Sequence, residues 1–534
     1  MTDGGEFDYI VVGGGSAGCA VASRLSELPG VRILLLEKGP RDWHPFIHMP
    51  VMFYKTGTGN LVERYHYLDG AGSNQLHEKL TMVQGRVLGG GSSVNGMVYV
   101  RGVPSDYEGW VAGGATGWGY EDVLPYYRKA EDNNEFSNEV HGVGGPLKVS
   151  QQANVHPLTR QWLLACQEAG LPYNPDFNSG NPEGCGFYQI TARDGRRSNT
   201  AQAYLKSARK RGNIEVRTDC FVNRVVVKDN RAVGVEYERG GRTFLAKARG
   251  EVVLSAGAIT SPKILMMSGI GSPGDLATHN IAINANLPGV GRNLHDHVEV
   301  SLVYQLRDRN SYDRYKRIHW QAMAGLQYLL FRAGPITSNI IESGAFWWSK
   351  QPADVPDLQY FFLPGAGVEE GMGTVPGGYG CTLSISLARP RSRGYVTLRG
   401  ADPKMAPVVA PNYLADPDDL QRLIDGLYFG DELMQRPSIA KHIAARAHPS
   451  AAFANDDEVK AFLFDQKRPG LHVCGTCRIG TDDMAVVGPD LRVRGVQGLR
   501  VADASVMPSI ISANTNAVSI MIGEKAADHI KGVI

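Results

Sequence analysis

Apolar and polar positions change their spacing along this chain, and the changes mark its elements. The β-branched run Tyr9-Ile10-Val11-Val12 stops at three glycines and continues as Ser16-Ala17-Gly18-Cys19-Ala20-Val21-Ala22, which is alanine-rich and helix-periodic. The pattern predicts a strand, a tight turn and a helix. A second apolar run, 31–36, ends in Glu37. Residues 41–82 lose periodicity and mix Gly, His, Tyr and Pro, which predicts an extended excursion over a surface. Helices are expected over 104–130, with Trp110, Trp118, Tyr126 and Tyr127 packing inward, and over about 155–170. The Pro/Asn/Gly-rich stretch 172–184 then reads as a boundary. Strand-like alternation over 213–256 suggests that the chain returns to its first sheet. Between about 300 and 460 the runs 344–348, 358–362, 382–387 and 394–398 are short and β-rich, with turn residues between them. These predict an antiparallel sheet in a second domain. Residues 365–380, glycine-rich and poor in core residues, are expected to form a mobile loop covering a pocket. A helix over 518–530 closes the chain, and no internal repeat is visible.

Composition narrows the function classes. With 534 residues a large core and more than one domain fit. Fifty-five basic and 54 acidic side chains leave a net charge of +1, so no global field draws nucleic acid or anionic lipid. Seven scattered cysteines do not form a disulfide framework and suit a reducing compartment. The N-terminus lacks the basic region of a signal peptide, and no run approaches the roughly 20 apolar residues of a membrane helix. A soluble, cytoplasmic protein is expected, with a homodimer and peripheral membrane attachment left open.

The candidate chemistry begins at Gly13, Gly15 and Gly18, a G-x-G-x-x-G. Gly13 allows the turn, Gly15 the approach of a pyrophosphate, and Gly18 close packing of the helix on the strand. The helix start at Ser16 and Ala17 turns free N–H groups toward phosphate. Glu37, nineteen residues after Gly18, is placed to accept from a ribose hydroxyl. The ligand is an adenine dinucleotide, FAD or NAD. The segment 84–97 is rich in glycine and serine and suits wrapping a polar ligand, with Arg86 and Asn95 as flanking donors. Cys474 and Cys477 form a C-x-x-C beside His472, but a structural zinc needs four ligands and no second pair is near, so no metal is expected. His295-Asp296-His297 reads as a hydrogen-bonded turn. Glu342 could recognise a cation with aromatic neighbours, although a sheet core with one satisfied carboxylate is the preferred reading.

Five blocks together resemble the glucose–methanol–choline (GMC) oxidoreductases, with a choline dehydrogenase-like flavour: the fingerprint to Glu37, the loop 85–97, residues 257–271, residues 290–297, and the two stretches around 472–480 and 503–517. The resemblance implies an α/β (α+β) fold. A Rossmann-like FAD-binding domain would be built from 1–154, 209–299 and 463–534, and a substrate domain with an antiparallel sheet flanked by helices from 155–208 and 300–462. It implies FAD rather than NAD. The pyrophosphate would lie over Gly13, Gly15, Ser16, Ala17 and Gly18, and the ribose by Glu37 and Lys38. Arg86, Gly89, Gly90, Ser92, Ser93, Asn95, Gly96, Met97 and Val98 would meet the flavin, with Val222, Ala256 and Gly257 nearby and Asp503, Ala504, Asn516 and Ala517 at the ring's pyrimidine end. Relatives with covalent flavin often carry histidine where Val94 stands, so the cofactor is expected to be non-covalent. By the same match His472 is the base that takes a hydroxyl proton while hydride passes to flavin N5, and Asn516 is the second catalytic position. Val473 and Ile479 stand where many relatives have proline and methionine. The implied reaction oxidises a small-molecule alcohol, with a quinone, an artificial acceptor or O2 taking the electrons. A hydroxynitrile lyase without net redox and an NAD-dependent dehydrogenase are the alternatives. Glu342, Phe346, Trp348, Phe361 and His472 are the candidate substrate contacts.

Overall fold

All four residues of Ile33–Leu36 are buried, as a strand covered on both faces of a parallel sheet must be. In the computed structural model, which describes residues 2–68, 77, 80–350, 355–375 and 377–532, that strand lies beside Thr2–Val12. The sheet runs Ile214–Arg217, Ile33–Leu36, Thr2–Val12, Arg242–Leu254, Arg231–Arg239, Phe221–Lys228, with Leu499–Val501 added parallel to Arg242–Leu254. One half is parallel and the other an antiparallel meander. One helix packs on this sheet and a second packs on that helix. Ser16–Leu25 and Thr515–Lys531 approach so closely that a side chain at Gly523 would meet the Ala17 backbone, at 3.0 Å from its Cα. Arg24 and the buried Glu524 join the pair at 2.7 Å.

A second sheet is antiparallel throughout, ordered Ile443–His448, Val298–Leu306, Gly380–Leu387, Leu358–Leu363, Ser343–Trp347, Gly184–Phe187. Helices Pro157–Glu168 and Pro417–Met434 pack on it, the latter through Gly426 and Gly430 against Leu358, Leu383 and Ile385.

Four expectations change in detail. The helical stretch 104–130 is two helices, Pro104–Ala112 and Tyr120–Ala130, because Gly114 and Gly117 turn the chain at positive φ between them. The strand Gly394–Thr397 pairs with Arg292–Leu294 and Val408–Ala410 in a separate sheet. Pro390, which has no N–H to give to a ladder, intervenes after Leu387. Residues 365–380 are not devoid of core contacts, since Ala366 and Met372 are buried. Part of the excursion 41–82 lies outside the described residues, and the rest contains short helices and the hairpin Val62–Tyr65 with Met82–Gly85. Among the described residues no helix is long and apolar enough to cross a membrane.

Candidate active site

Two glycine turns meet at the wall of a cavity of about 460 Å³, Gly89 N donating to the Gly14 carbonyl at 2.7 Å. Gly13 has φ +100, and a Cβ there or at Gly18 would overlap the carbonyl of Ser255 or of Gly13. Gly15 is different: its nearest neighbours, Gly90 Cα and Ser255 O, are 3.9 Å away. Open space therefore lies over Gly15 alone of the three. No side chain caps the helix Ser16–Leu25 at Gly15, so its first N–H groups are directed at that space, where an anion would be held. Beside it Gly90 sits at φ +53, so close that a Cβ there would come within 2.7 Å of the Gly15 Cα. Glu37 accepts from Gly14 N at 2.9 Å and Gly39 N at 2.7 Å, and burial pushes its carboxyl up to about 7. A dinucleotide fits this cradle: small residues where its backbone passes, helical N–H groups for its phosphates, a buried carboxyl for its ribose.

Lys38, Arg86, Asn95, Gly96, Met97, Val98, Val222, Ala256, Gly257, Asp503 and Ala504 also line the cavity, as does Val94. Asp503 is fixed by Gly257 N at 2.8 Å and Ser261 Oγ at 2.6 Å. Other expected ligand contacts stand behind the wall. Ser92 and Ser93 turn their hydroxyls onto the carbonyls of Gly89 and Leu88, at 2.6 and 2.8 Å, and brace the loop from within. Gly18, Gly89 and Ala517 likewise serve packing and do not line the cavity.

His472 lies at the cavity wall and its protonation can be read from its neighbours. His297 Nε2 is 3.0 Å from the Ala388 carbonyl and 3.1 Å from the Ile511 carbonyl. Carbonyls only accept, so Nε2 carries the hydrogen. Burial holds the His297 pKa down to about 4, so the ring is neutral and its Nδ1 is a lone pair. His472 Nδ1, 2.9 Å away, must then donate to it. Burial, and after it the neighbouring His297, lower the His472 pKa well below the ordinary imidazole value. Its Nε2 is consequently a bare lone pair, met by Asn514 Nδ2–H at 3.0 Å. Gln359 Nε2, on the second sheet, donates to Asn514 Oδ1 at 3.3 Å and orients that amide. Buried Asp296 holds the His472 backbone N–H at 2.6 Å and is itself held by the Tyr413 hydroxyl at 2.5 Å. Leu471 just before has φ +62, so the loop carrying the imidazole is bent into place by its surroundings.

Two sequence expectations need correction. Asn516 does not face the imidazole: its amide donates to Ser16 Oγ at 2.8 Å. The helix begins at Thr515 with Asn514 as its N-cap, so residues two apart point to different sides, and only Asn514 meets His472. Of the candidate substrate contacts, Phe361 and His472 line the cavity, whereas Glu342, Phe346 and Trp348 do not. Glu342 is buried and fully engaged by Tyr312 Oη (2.5 Å), Ser338 Oγ (2.7 Å), Thr159 Oγ1 (2.6 Å) and His156 N (2.8 Å). Phe346 packs on Phe177, and Trp348 stacks edge-on with Trp347. Sequence reasoning missed Asn514, Gln359 and the part played by His297. Only the two asparagines flanking Thr515 offered a signal, and it did not choose between them. Cys474 and Cys477 are buried free thiols whose backbone N–H groups donate to His295 O and Ser505 O. Among the described residues no group of three or more His, Cys, Asp or Glu is gathered as a metal site.

Comparisons with known proteins agree over nearly the whole chain. Residues 7–299 and 390–523 match two family models, both described as GMC oxidoreductase. The chain is 39% identical over 529 residues to an alcohol dehydrogenase [acceptor] of Pseudomonas putida, covering 98% of this chain and 95% of that one. It is 40% identical to an oxygen-dependent choline dehydrogenase of Sinorhizobium medicae, covering 99% and 96%. A solved structure of an Aspergillus oryzae formate oxidase variant, concerned with FAD modification, superposes with a TM-score of 0.94 at 28% identity, covering 100% of this chain and 99% of that one.

Proposed function

This chain belongs to the GMC oxidoreductase family, and from that premise we propose that it oxidises an uncharged alcohol to the aldehyde or ketone with non-covalent FAD, His472 acting as the base. The observation that carries the reading is the lone pair of His472 Nε2 at the cavity wall, with Asn514 beside it. Bound in the glycine cradle, FAD supplies the acceptor for the two electrons and the hydrogen that leave the carbinol carbon. The first sheet, with the segments 1–154, 209–299 and 463–534, holds it, and 155–208 with 300–462 provide the substrate wall.

Negative charge builds on the hydroxyl oxygen as the carbon is oxidised, so the proton must leave. His472 Nε2 takes it, and His297 Nδ1 accepts the Nδ1–H that steadies the resulting imidazolium. Asn514 has a second amide hydrogen to give to the oxygen and cannot compete for the proton. Val94, at the wall, has no nucleophile to form a bond with the cofactor.

An uncharged substrate follows from the carboxylates near the imidazole. Glu299 and Glu369 are both claimed by Arg468, at 2.7 Å each, and Glu370 pairs with Arg64 at 2.6 Å. Phe361, Leu363 and Met372 fill the rest of that wall. Among the described residues no carboxylate on that wall is left without a cationic partner to meet a quaternary ammonium, and Glu342 is enclosed elsewhere. The relatives named above support oxidation over the lyase and nicotinamide-dependent alternatives. Anaerobic mixing of the yellow holoenzyme with primary, aromatic and amino alcohols tests the proposal. Bleaching by uncharged alcohols, faster than by choline, is expected; a flavin that no alcohol bleaches would overturn it. Peroxide formed in air would make O2 the acceptor, and its absence a quinone-like one.

A further inference from the structure

The helix Ile318–Phe331 is unlike the rest of the surface. Ala324 and Tyr328 face inward, the latter anchored by its hydroxyl to the Gly195 carbonyl at 3.0 Å. Helical spacing puts Ile318, Met323, Leu326, Leu329 and Leu330 on the opposite side, and these side chains are between 59% and 81% exposed. Phe331 extends the patch at the helix end, 72% exposed. A contiguous apolar face of this kind marks an interaction site.

Charge identifies its occupant. Residues 314–341 contain no Asp or Glu, while Arg314, Lys316 and Arg317 precede the helix and Arg332 follows it. Lys316 pairs with Asp313 at 2.7 Å. Among the described residues Arg317 and Arg332 contact only the rings of Tyr379 and Tyr328, and no carboxylate. A second copy of the chain, docking the same face about a two-fold axis, would bring these cations against their own counterparts with no acidic residue from the segment to receive them. An anionic bilayer receives both the cations and the apolar face. The net charge of +1 conceals this local concentration.

A chain of contacts links the helix to another exposed aromatic residue. Gly195 packs on the Arg332 backbone, and two residues on, Arg197 Nε donates to the Ile47 carbonyl at 2.8 Å. That contact ties in the segment where Trp43 stands 72% exposed with Arg41 over its ring at 5.0 Å. The helix is also joined to the cavity at both ends. On one side Lys316 Nζ donates to the Ala366 carbonyl at 3.0 Å, at the root of the loop that brings Met372 to the cavity. On the other, Asn339 Nδ2 donates to the Gly96 carbonyl at 2.7 Å, and Ile341 lines the cavity.

We propose that Ile318–Phe331 seats the enzyme on an anionic lipid bilayer, its apolar face entering the boundary between headgroups and acyl chains and Arg314, Arg317 and Arg332 meeting the lipid phosphates. The seat places the cavity beside the bilayer, where a lipid-soluble quinone is the acceptor within reach. Only this last point rests on the alcohol-oxidising reading, because lipid binding is measured without turnover.

Sedimentation of the full-length holoenzyme with vesicles tests the seat. Vesicles of phosphatidylcholine mixed with phosphatidylglycerol should carry the protein down, and phosphatidylcholine alone should carry far less. Leu326→Asp with Leu329→Asp, and separately Arg317→Glu with Arg332→Glu, should weaken binding by about tenfold or more, as should raised salt for the wild type. Both double variants should keep their flavin and their turnover with a soluble artificial acceptor. A holoenzyme that ignores the mixed vesicles would overturn the proposal, as would an aspartate variant that sediments like the wild type. A dimer that the same aspartates split, without lipid binding, would assign the face to a second copy and also overturn it.

Discussion

As the proposed base, His472 depends on its neighbours. A base must be neutral, and a lowered pKa keeps the imidazole neutral at every pH above that value. The rate of flavin reduction by alcohol should therefore be level from about pH 7 upward and fall only in acid, below the ordinary imidazole value of about 6.5. Stopped-flow traces across pH read this directly, and a midpoint at or above 6.5 would refute the assignment. His472→Ala should retain flavin and slow reduction by about 10²–10⁴-fold. The two asparagines should separate cleanly. Asn514→Ala removes the amide at Nε2 and should slow reduction with flavin content intact, whereas Asn516→Ala removes the partner of Ser16 at the phosphate end and should weaken flavin retention. If the Asn516 variant alone loses reduction rate, the geometry drawn above is wrong. His472 was legible in the sequence through its motif. Its tautomer was not, since that depends on two carbonyls, Ala388 and Ile511, far apart in the chain.

The fingerprint strand, turn and helix show how one motif assigns different work to identical residues. Gly18→Ala would drive a methyl into the Gly13 carbonyl and should cost about 1–3 kcal/mol of stability, seen as a lower urea midpoint. Gly15→Ala has room, with its nearest atoms at 3.9 Å and an ordinary φ of −81. That variant should keep its urea midpoint but lose flavin affinity, because the room is where the ligand passes. Equal destabilisation in both would contradict the cradle. Most elements were readable from periodicity because apolar spacing reports which face is covered. The break between Pro104–Ala112 and Tyr120–Ala130 was signalled by glycines and overlooked. The transfer of Gly394–Thr397 to a separate sheet had no local signal, since strand pairing is settled by partners such as Arg292–Leu294, about a hundred residues away.

For the molecule as a whole, acid precipitation should release the yellow colour into the supernatant, since no side chain such as histidine stands at Val94 to bond the flavin. Colour retained in the pellet would show a covalent link. Motifs close in the chain, the glycine turn, Glu37 and the block around His472, were enough to state the family and the cofactor class and to single out the proposed base, because their chemistry depends on short-range geometry that a few residues dictate. Which asparagine meets the imidazole, which carboxylates are already paired with arginine, and which apolar helix is left uncovered all depend on segments brought together from tens to hundreds of residues apart. Those choices are made by packing: a helix start shifted by two residues, or a sheet edge closed by a distant strand, redirects a side chain without altering the pattern of residue types around it.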